Sequence, residues 1–326
     1  MANDVGAARA APGRRHLGPQ IFTRYAVLRP YARLLKAPGG MFGLAVLILL
    51  VVLAVFAPRL TPYNPLTISQ DAPLVAPSAA HPFGTDDLGR DVFSRVLFGA
   101  RISLTVSCFS ALVALLIAMP LGLAAGYHGG ALDTVIVRAF DTVYAFPDIL
   151  LGIGLVSVLG ASMANVILAV AVVNVPTLGR LTRVALLAQR TEEYIEAARA
   201  AGSSDLRLIV RHLVPNVAPP LLVQTTIVMS QAVLLEAAFS FLGLGIRPPA
   251  PSWGTMLNDG RNFLAQAPWL GLFPGFAITT MILGLNSLGD ALRTVMNPRR
   301  QWRQIKARPS PRRGGRPGGE RARARG

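Results

Sequence analysis

The sequence contains little charge, and most of that charge has one sign. Only 15% of its 326 residues are charged, with 32 Lys and Arg against 16 Asp and Glu, while 52% are hydrophobic. The mean hydropathy is +0.48. This composition is too apolar for a soluble globular domain of this length, so we expect a membrane protein.

Residues that build metal and redox sites are scarce. The one cysteine, Cys108, lies inside an apolar run, which excludes a disulfide framework or a metal-thiolate site within the chain. The four histidines show no paired ligand spacing, and they are His16, His81, His128 and His212. We therefore expect neither a metal nor another cofactor.

A nucleotide-binding loop is also absent. Neither lysine, Lys36 or Lys306, has the preceding Gly and the following Ser or Thr of a Walker A loop. The chain is therefore not expected to hydrolyse ATP or to be an enzyme with catalytic residues.

Three carboxylates near residue 90 have a structural explanation. The spacing of Asp86, Asp87 and Asp91 differs from that of a calcium-binding EF-hand loop. Thr85 as a helix N-cap and an Asp91–Arg95 pair at i, i+4 account for them without a metal.

Long apolar runs are abundant, and they predict six membrane spans. Four uncharged runs are long enough to cross a bilayer, and the stretch 132–179 is long enough for two spans. The expected spans are 41–56, 102–125, 132–159, 164–178, 215–241 and 269–288. Pro120 and Pro147 are expected to kink their helices. Glu236, about 31 Å along the fifth span from Pro215, is expected at the outer interface.

The basic residues set the expected orientation. Of the 32 Lys and Arg, seven lie in 1–40, six in 180–212 and twelve in 291–326, whereas 58–101 holds four and 243–268 two. The positive-inside rule then places both termini and the 180–212 region in the cytoplasm. No cleavable signal sequence precedes Met41, so the first span is expected to remain as an anchor.

The expected organisation follows from these spans. A basic cytoplasmic segment (1–40) precedes the first transmembrane helix (41–57) and an external segment (58–101). A five-helix core (102–293) contains a cytoplasmic insert (188–213) and an external loop (243–268). A basic tail (294–326), rich in Arg, Pro and Gly, is expected to be disordered and to face anionic lipid.

The cytoplasmic insert is polar and helix-forming, and its pattern predicts two short helices. Thr191 with two following glutamates predicts the first helix start, and Gly202 predicts its left-handed end. Ser203 or Ser204 then caps a second helix over 205–213. Small side chains at Ala197 and Ala198 allow another surface to approach closely.

The insert resembles the EAA loop of ABC-importer permeases. The residues that carry the resemblance are Glu196, Ala197, Ala198, Gly202 and Pro215. The segments 80–103, 239–254 and 274–299 are similar to those of dipeptide, oligopeptide and nickel permeases. The resemblance implies a MetI-like, all-α fold of six transmembrane helices in the bacterial inner membrane.

The resemblance also implies partners and roles. These are a second homologous permease subunit, two cytoplasmic ABC ATPases and an extracytoplasmic solute-binding protein, besides membrane lipid. The insert would form the coupling helices, with Glu196 as a contact and Gly202 as a hinge, joined by Ala197, Ala198, Asp205 and Pro215. The cargo would be a peptide, a nickel chelate or a glutathione-like solute.

Polar residues within the spans are candidates for the translocation path, and each could instead bond one helix to another. They are Asp148, Asn174, Gln224, Gln231 and Asn286. Arg138, Asp141 and Asp148 are expected on one face of the third span.

Two other function classes remain open from the residues alone. An ion-gradient-driven secondary transporter would need a deep charge relay, for which Asp148 is the best candidate. A nucleic-acid binder would use the basic tail, but no aromatic interleaving accompanies it, so no nucleic-acid partner is expected.

Overall fold

The protein is described by a computed structural model that covers residues 38–69 and 72–296. The basic segment before residue 38 and most of the expected tail, from residue 297, lie outside the described residues. Within the described ranges the secondary structure is helical, apart from one isolated bridge between Thr85 and Asp91. The all-α fold class is confirmed.

Ten α-helices follow one another in the described part of the chain. They are α1 (Pro38–Leu60), α2 (Val92–His128), α3 (Gly130–Tyr144), α4 (Asp148–Leu159), α5 (Met163–Arg190), α6 (Glu193–Ala200), α7 (Asp205–Leu208), α8 (Val214–Phe241), α9 (Trp253–Gly260) and α10 (Trp269–Met296). A π-helical turn (Ile209–Leu213) joins α7 to α8, and a 3₁₀ turn (Arg261–Phe263) follows α9. Within the described ranges, five helical stretches are long and apolar enough to cross a membrane, and the count becomes six if the bent pair α3 and α4 forms one span.

The expected span over 132–159 bends at Pro147 as predicted, but the chain forms two separate helices there and not one kinked helix. Helix α3 ends at Tyr144, α4 begins at Asp148, and the two are bent by 91°. Pro147 offers no N–H to a continuing helix and disfavours the helical conformation of Phe146. The expected face that joins Arg138 and Asp141 to Asp148 therefore does not form.

Helices α2 and α5 approach each other closely through glycine. A Cβ atom on Gly122 would lie 2.4 Å from the carbonyl oxygen of Gly179 and 2.6 Å from the Cβ of Thr182. A Cβ on Gly179 would also lie 2.4 Å from the ring of Phe140, so Gly179 makes room for this α3 side chain as well. Small residues at membrane helix contacts allow this close backbone approach.

The end of α1 is attached to α2 by a side chain that replaces a missing backbone donor. Pro58 has no N–H, so it leaves the carbonyl of Ala54 without its usual helical partner. Arg101 Nε donates to that carbonyl oxygen at 2.6 Å, and Arg101 Nη2 lies 3.3 Å from the carbonyl oxygen of Val55. Arg101 thus stabilises both the proline turn and the α1–α2 contact.

The segment before α2 folds differently from the sequence expectation. Thr85 is not an N-cap, since its hydroxyl donates to the carbonyl of Ala72 and accepts from the N–H of Val75. The cap is Asp91, whose Oδ2 accepts from the backbone N–H of Ser94 at 2.8 Å. The helix starts seven residues later than Thr85 because Gly84 and Gly89 adopt left-handed conformations and turn the chain there.

The acidic residues of this segment form a buried ion cluster. Asp86 Oδ2 lies 2.6 Å from Arg90 Nε and 3.5 Å from Arg95 Nε. Asp259 of α9 lies 3.4 Å from Arg90 and 3.6 Å from Arg95. The cluster therefore ties the segment before α2 to α9.

Two details of this cluster were not anticipated. The expected Asp91–Arg95 pair is wrong, because Asp91 Oδ1 instead lies 3.0 Å from His81 Nδ1. Partial burial and the neighbouring Asp86 carboxylate raise the pKa of Asp87. Arg90 Nη2, 3.9 Å from Asp87 Oδ1, offsets only part of this effect.

Glu236 is buried inside the helix bundle, which the sequence did not predict. Its exposed fraction is 0%. Ser240 Oγ donates to Oε1 at 2.9 Å, and Ser103 Oγ of α2 donates to Oε2 at 3.4 Å. The end of α8 is covered because α9 packs on it, with Gly254 against the backbone of Ala237.

Replacing Gly122 with Ala should separate α2 from α5 and destabilise the fold. The added methyl has no space, and overpacking of this kind costs about 1–3 kcal/mol. We expect a lower thermal unfolding temperature of the purified chain in detergent. Gly154→Ala is the matched control, because a Cβ there meets no atom within 4 Å. Equal unfolding temperatures for the two variants would contradict the close contact.

Candidate functional site

The first insert helix, α6, begins one residue later than expected. Thr191 is not its N-cap but ends α5, and Glu192 occupies the N-cap position without a side-chain cap bond. Glu193 and Glu196 lie in the first turn. Carboxylates there interact favourably with the positive end of the helix dipole, which stabilises this short helix.

Gly202 ends α6 in the expected left-handed conformation, with φ of +81°. The N–H of Ser203 donates to the carbonyl of Ala198 at 3.1 Å, and the N–H of Gly202 donates to that of Arg199 at 3.0 Å. These two bonds form a Schellman motif. Ser204 then takes the N-cap position of α7, although its side chain makes no cap bond.

The second insert helix is continuous with a membrane span. The expected α-helix over 205–213 is α-helical only to Leu208, after which a π-helical turn runs from Ile209 to Leu213. The N–H of Val214 donates to the carbonyl of Ile209 across that turn. The wider turn lies directly before Pro215, which lacks the N–H that an α-helix would require.

Apolar side chains anchor the insert to the membrane helices. Ile195 of α6, Leu208 of α7 and Leu213 of the π turn are all fully buried or nearly so. Ile195 and Leu213 belong to the same apolar cluster as Tyr127 of α2 and Leu186 of α5. The insert is therefore packed against the helix bundle through these side chains.

Two tyrosines add polar attachments. Tyr127 OH, at the end of α2, donates to Asp205 Oδ1 at 2.5 Å. Tyr194 OH donates to Gln189 Oε1 of α5 at 2.7 Å and accepts from Asn216 Nδ2 of α8 at 3.2 Å. Burial and the nearby Glu192 raise the pKa of Tyr194. Its hydroxyl, like that of an ordinary tyrosine, is protonated at neutral pH and can donate.

The opposite side of the insert is exposed. Glu196, Ala197 and Gly202 are exposed, and Ala198 is half-buried. Asp205 and Pro215, farther along the insert, are also exposed. Sequence reasoning missed two apolar side chains here, Leu206 and Val210, whose exposed fractions are 71% and 59%. Their i, i+4 spacing was a signal for one helix face. We call Glu196, Ala197, Leu206 and Val210 the docking face.

The candidate path residues lie in different environments. Gln224 is half-buried and lines a cavity of about 470 Å³ with Pro219, Pro220 and Arg293. Gln231, seven residues later on α8, is exposed. The two amides therefore share one side of α8.

The other three candidates differ in burial and in hydrogen-bond partners. Asp148 is exposed at the start of α4. Asn174 is buried and donates to the carbonyl of Val170 in its own helix at 2.9 Å. Asn286 of α10 is exposed, and its Oδ1 accepts from Ser230 Oγ of α8 at 2.9 Å.

Charged contacts between α3 and α5 were also missed from the sequence. Asp133 accepts from Arg183 Nε at 2.5 Å, and Asp141 pairs with Arg180. The guanidinium of Arg180 also lies 4.5 Å from the ring centroid of Tyr144, the last residue of α3. Residues so far apart in sequence offer no periodic signal that would pair them.

Within residues 38–69 and 72–296, no group of three or more His, Cys, Asp or Glu side chains is arranged to hold a metal ion.

Comparison with known proteins identifies the family. The sequence model of a family described as the binding-protein-dependent transport system inner membrane component matches residues 118–302. A second, described as the N-terminal TM domain of oligopeptide transport permease C, matches residues 29–78. The chain belongs to the binding-protein-dependent transport permeases.

Curated relatives support this assignment over most of the chain. The dipeptide transport system permease protein DppC of Alkalihalophilus pseudofirmus is 45% identical over 82% of this chain and 88% of that protein. DppC of Haemophilus influenzae is 39% identical, over 80% of this chain and 90% of that protein. The glutathione transport system permease protein GsiD of Pectobacterium atrosepticum is 42% identical over 79% and 85%.

Solved structures support the fold. Two crystal forms of the inward-facing MetNI methionine ABC transporter contain chains with TM-scores of 0.51 and 0.52. They are 20% and 19% identical and cover 62% of this chain and 96% and 97% of their own. The chain is thus a membrane permease of an ABC importer with a MetI-like fold, and not an enzyme. Nothing in these comparisons supports the ion-gradient-driven alternative.

The conformation of Gly202 should control the stability of α6. Gly202→Ala places a side chain in the left-handed region, which costs about 1 kcal/mol, whereas Asn tolerates it. We expect amides of α6 to exchange hydrogen about fivefold faster in Gly202→Ala. Gly202→Asn should exchange at nearly the wild-type rate. Faster exchange in both variants alike would contradict the conformational argument, because no atom lies within 4 Å of a Cβ at this position.

Proposed function

We propose that this chain forms half of the transmembrane pore of an ATP-driven peptide importer and receives mechanical force through its insert. The observation that carries the proposal is the two-sided character of the insert. One side is packed into the helix bundle through Ile195, Leu208 and Leu213, and the other side is exposed. A surface of this kind transmits the movement of a bound partner to the spans.

The proposed partner of the docking face is the ATPase subunit that the family requires. Leu206 and Val210 offer apolar contact, Ala197 allows close approach, and Glu196 offers a charge for a specific pair. Gly202 lets α6 and α7 meet at an angle, and Pro215 marks the entry into α8. Asp205, held by Tyr127, connects movement of the insert to α2 as well as to α8.

The proposed assembly contains two permease subunits, two ATPases and an extracytoplasmic binding protein. Both termini and the insert face the cytoplasm, as the distribution of basic residues favours. Closure of the ATPases around ATP moves the docked inserts, and rigid-body motion of the helices then changes which side of the membrane the pore opens to. The differential binding of the ATPases to the two states supplies the driving energy.

The proposed cargo is a short peptide. Relatives that share about two fifths of their residues with this chain over most of its length transport dipeptides or glutathione, itself a tripeptide. The path would run along the side of α8 that carries Gln224 and Gln231. Asn286 and Asp148 are further candidates for its wall, while Asn174 is the weakest because its amide already bonds its own helix.

Reversal of the charge at Glu196 should uncouple the ATPase. Glu196→Arg replaces the exposed carboxylate with a positive charge, so the ion pair proposed with the ATPase is lost. We expect ATPase association about tenfold weaker and dipeptide uptake reduced accordingly. The measurements are co-purification and ATP-dependent uptake of a labelled dipeptide in proteoliposomes.

The control introduces an arginine on a surface outside the insert. Gln266→Arg lies in an exposed position before α10, outside the docking face, and should retain both association and uptake. Normal ATPase recruitment by Glu196→Arg would remove Glu196 from the coupling surface. A wild-type complex that hydrolyses ATP but moves no dipeptide would contradict the cargo class.

The path along α8 can be tested by thiol labelling. The lone cysteine, Cys108, is first replaced by Ser, and single cysteines are then placed at Gln231 and at Leu222, which is exposed on the opposite side of α8. Hydrated thiols ionise and react, whereas lipid-covered thiols do not. We expect a polar maleimide to label position 231 at least about tenfold faster than position 222 during turnover. Equal rates would exclude this side of α8 from the path.

A further inference from the structure

Two adjoining cavities lie at the end of α1, away from the insert and from α8's glutamines. One, of about 390 Å³, is lined by Val55, Phe56, Pro58 and Arg59. The other, of about 570 Å³, shares Pro58 and continues between the segment after α1, α2 and the loop before α9. Its remaining lining residues are Thr61, Pro62, Tyr63, Asn64, Pro65, Leu66, Phe98, Ala250 and Pro251. Together the two cavities form one groove, here called the α1 groove.

Two arginines border this groove. The guanidinium of Arg59 lies 6.0 Å from the ring centroid of Phe56, and that of Arg101 lies 5.5 Å from the ring centroid of Phe98. Arg101 Nη2 is 3.3 Å from the carbonyl oxygen of Val55. That carbonyl is one helical turn before Arg59, so the two guanidinium groups belong to the same part of the surface.

Both arginines lack a counter-ion among the described residues. Arg90 and Arg95 of the buried cluster each have carboxylates within 4.0 Å, but no described carboxylate lies that close to Arg59 or Arg101. No acidic residue lines either cavity. The groove therefore presents positive charge with hydrogen-bond donors suited to a phosphate group.

The walls of the groove are suited to hydrocarbon. Helix α1 packs on α2 and α10, and Val55, Phe56 and Leu60 remain exposed on its other side. The helix has 23 residues, which is about 34 Å of rise, so Arg59 in its last turn lies near the headgroup level of a bilayer. The positive charge thus lies at the level of a phospholipid's headgroup, and the apolar surface lies at the level of its acyl chains.

We propose that the α1 groove binds one phospholipid, with its phosphate held by Arg59 and Arg101. Its acyl chains lie along Val55 and Phe56, and the rest of its headgroup occupies the cavity beside Tyr63. The site holds the end of α1 against α2, since the same Arg101 supplies the donor that Pro58 lacks. The lipid is accordingly a structural ligand of the permease, apart from the transported solute.

Native mass spectrometry tests the site on the full-length chain, purified with its copurifying subunits and stripped of lipid. The probe is phosphatidylglycerol, compared with a diacylglycerol of the same chains. We expect one tightly held phosphatidylglycerol in the wild type and affinity lowered about tenfold in Arg59→Gln, because a charge-assisted bond is lost. The control Arg247→Gln removes an exposed arginine outside both cavities and should bind as the wild type does.

Further measurements distinguish binding of a lipid from binding of a free anion and from a contact with another protein subunit. Phe56→Ser should weaken binding of the lipid because it removes an acyl-chain contact, and millimolar inorganic phosphate should not displace the lipid. Equal retention of diacylglycerol, full displacement by phosphate or unchanged binding in Arg59→Gln would each overturn the proposal. Lipid binding to the isolated chain but not to the complex would assign the groove to a subunit interface instead.

Discussion

A continuous helical stretch connects the insert to the far end of a membrane span. The helical stretch from Asp205 to Phe241 contains 37 residues, about 55 Å in length. The π-helical turn before Pro215 accommodates the proline without a break. The proposed coupling relies on this helix to carry displacement from Asp205 along α8. At the far end Glu236 accepts hydrogen bonds from Ser103 of α2 and from Ser240, so the same helix is also tied to α2.

The other helices differ in how closely they pack against their neighbours. The α2–α5 contact at Gly122 and Gly179 leaves no room for sliding, so these two helices move together. The α3–α4 pair is bent by 91° at Pro147, which interrupts the run of helical hydrogen bonds there. The exposed Asp148 begins the second helix of this bent pair.

Sequence reasoning succeeded where local chemistry decides the structure. The apolar runs located the spans because hydrocarbon requires long uncharged helices. Gly202 was placed correctly in a left-handed turn because few other residues adopt that conformation. The Pro147 bend was anticipated in position, but its angle depends on what α3 and α4 pack against. Thr85 was misassigned because the glycines at 84 and 89 override its preference for capping a helix.

Tertiary contacts explain the remaining misses. The burial of Glu236 depends on α9 folding back over α8, which no periodicity within α8 reveals. The bonds of Tyr127 to Asp205 and of Arg183 to Asp133 join residues 78 and 50 positions apart. Of the candidate path residues, Gln224 and Gln231 were grouped correctly because helical spacing alone places them on one side.

The separation of the insert into a packed side and an exposed side has a consequence for substitutions. Ile195, Leu208 and Leu213 are constrained by the bundle, whereas Leu206 and Val210 project away from the chain's own core. Substitutions at the latter two positions therefore change little in the permease's own stability. A change at either position can therefore alter the proposed contact with an ATPase while the packing that supports this surface stays the same.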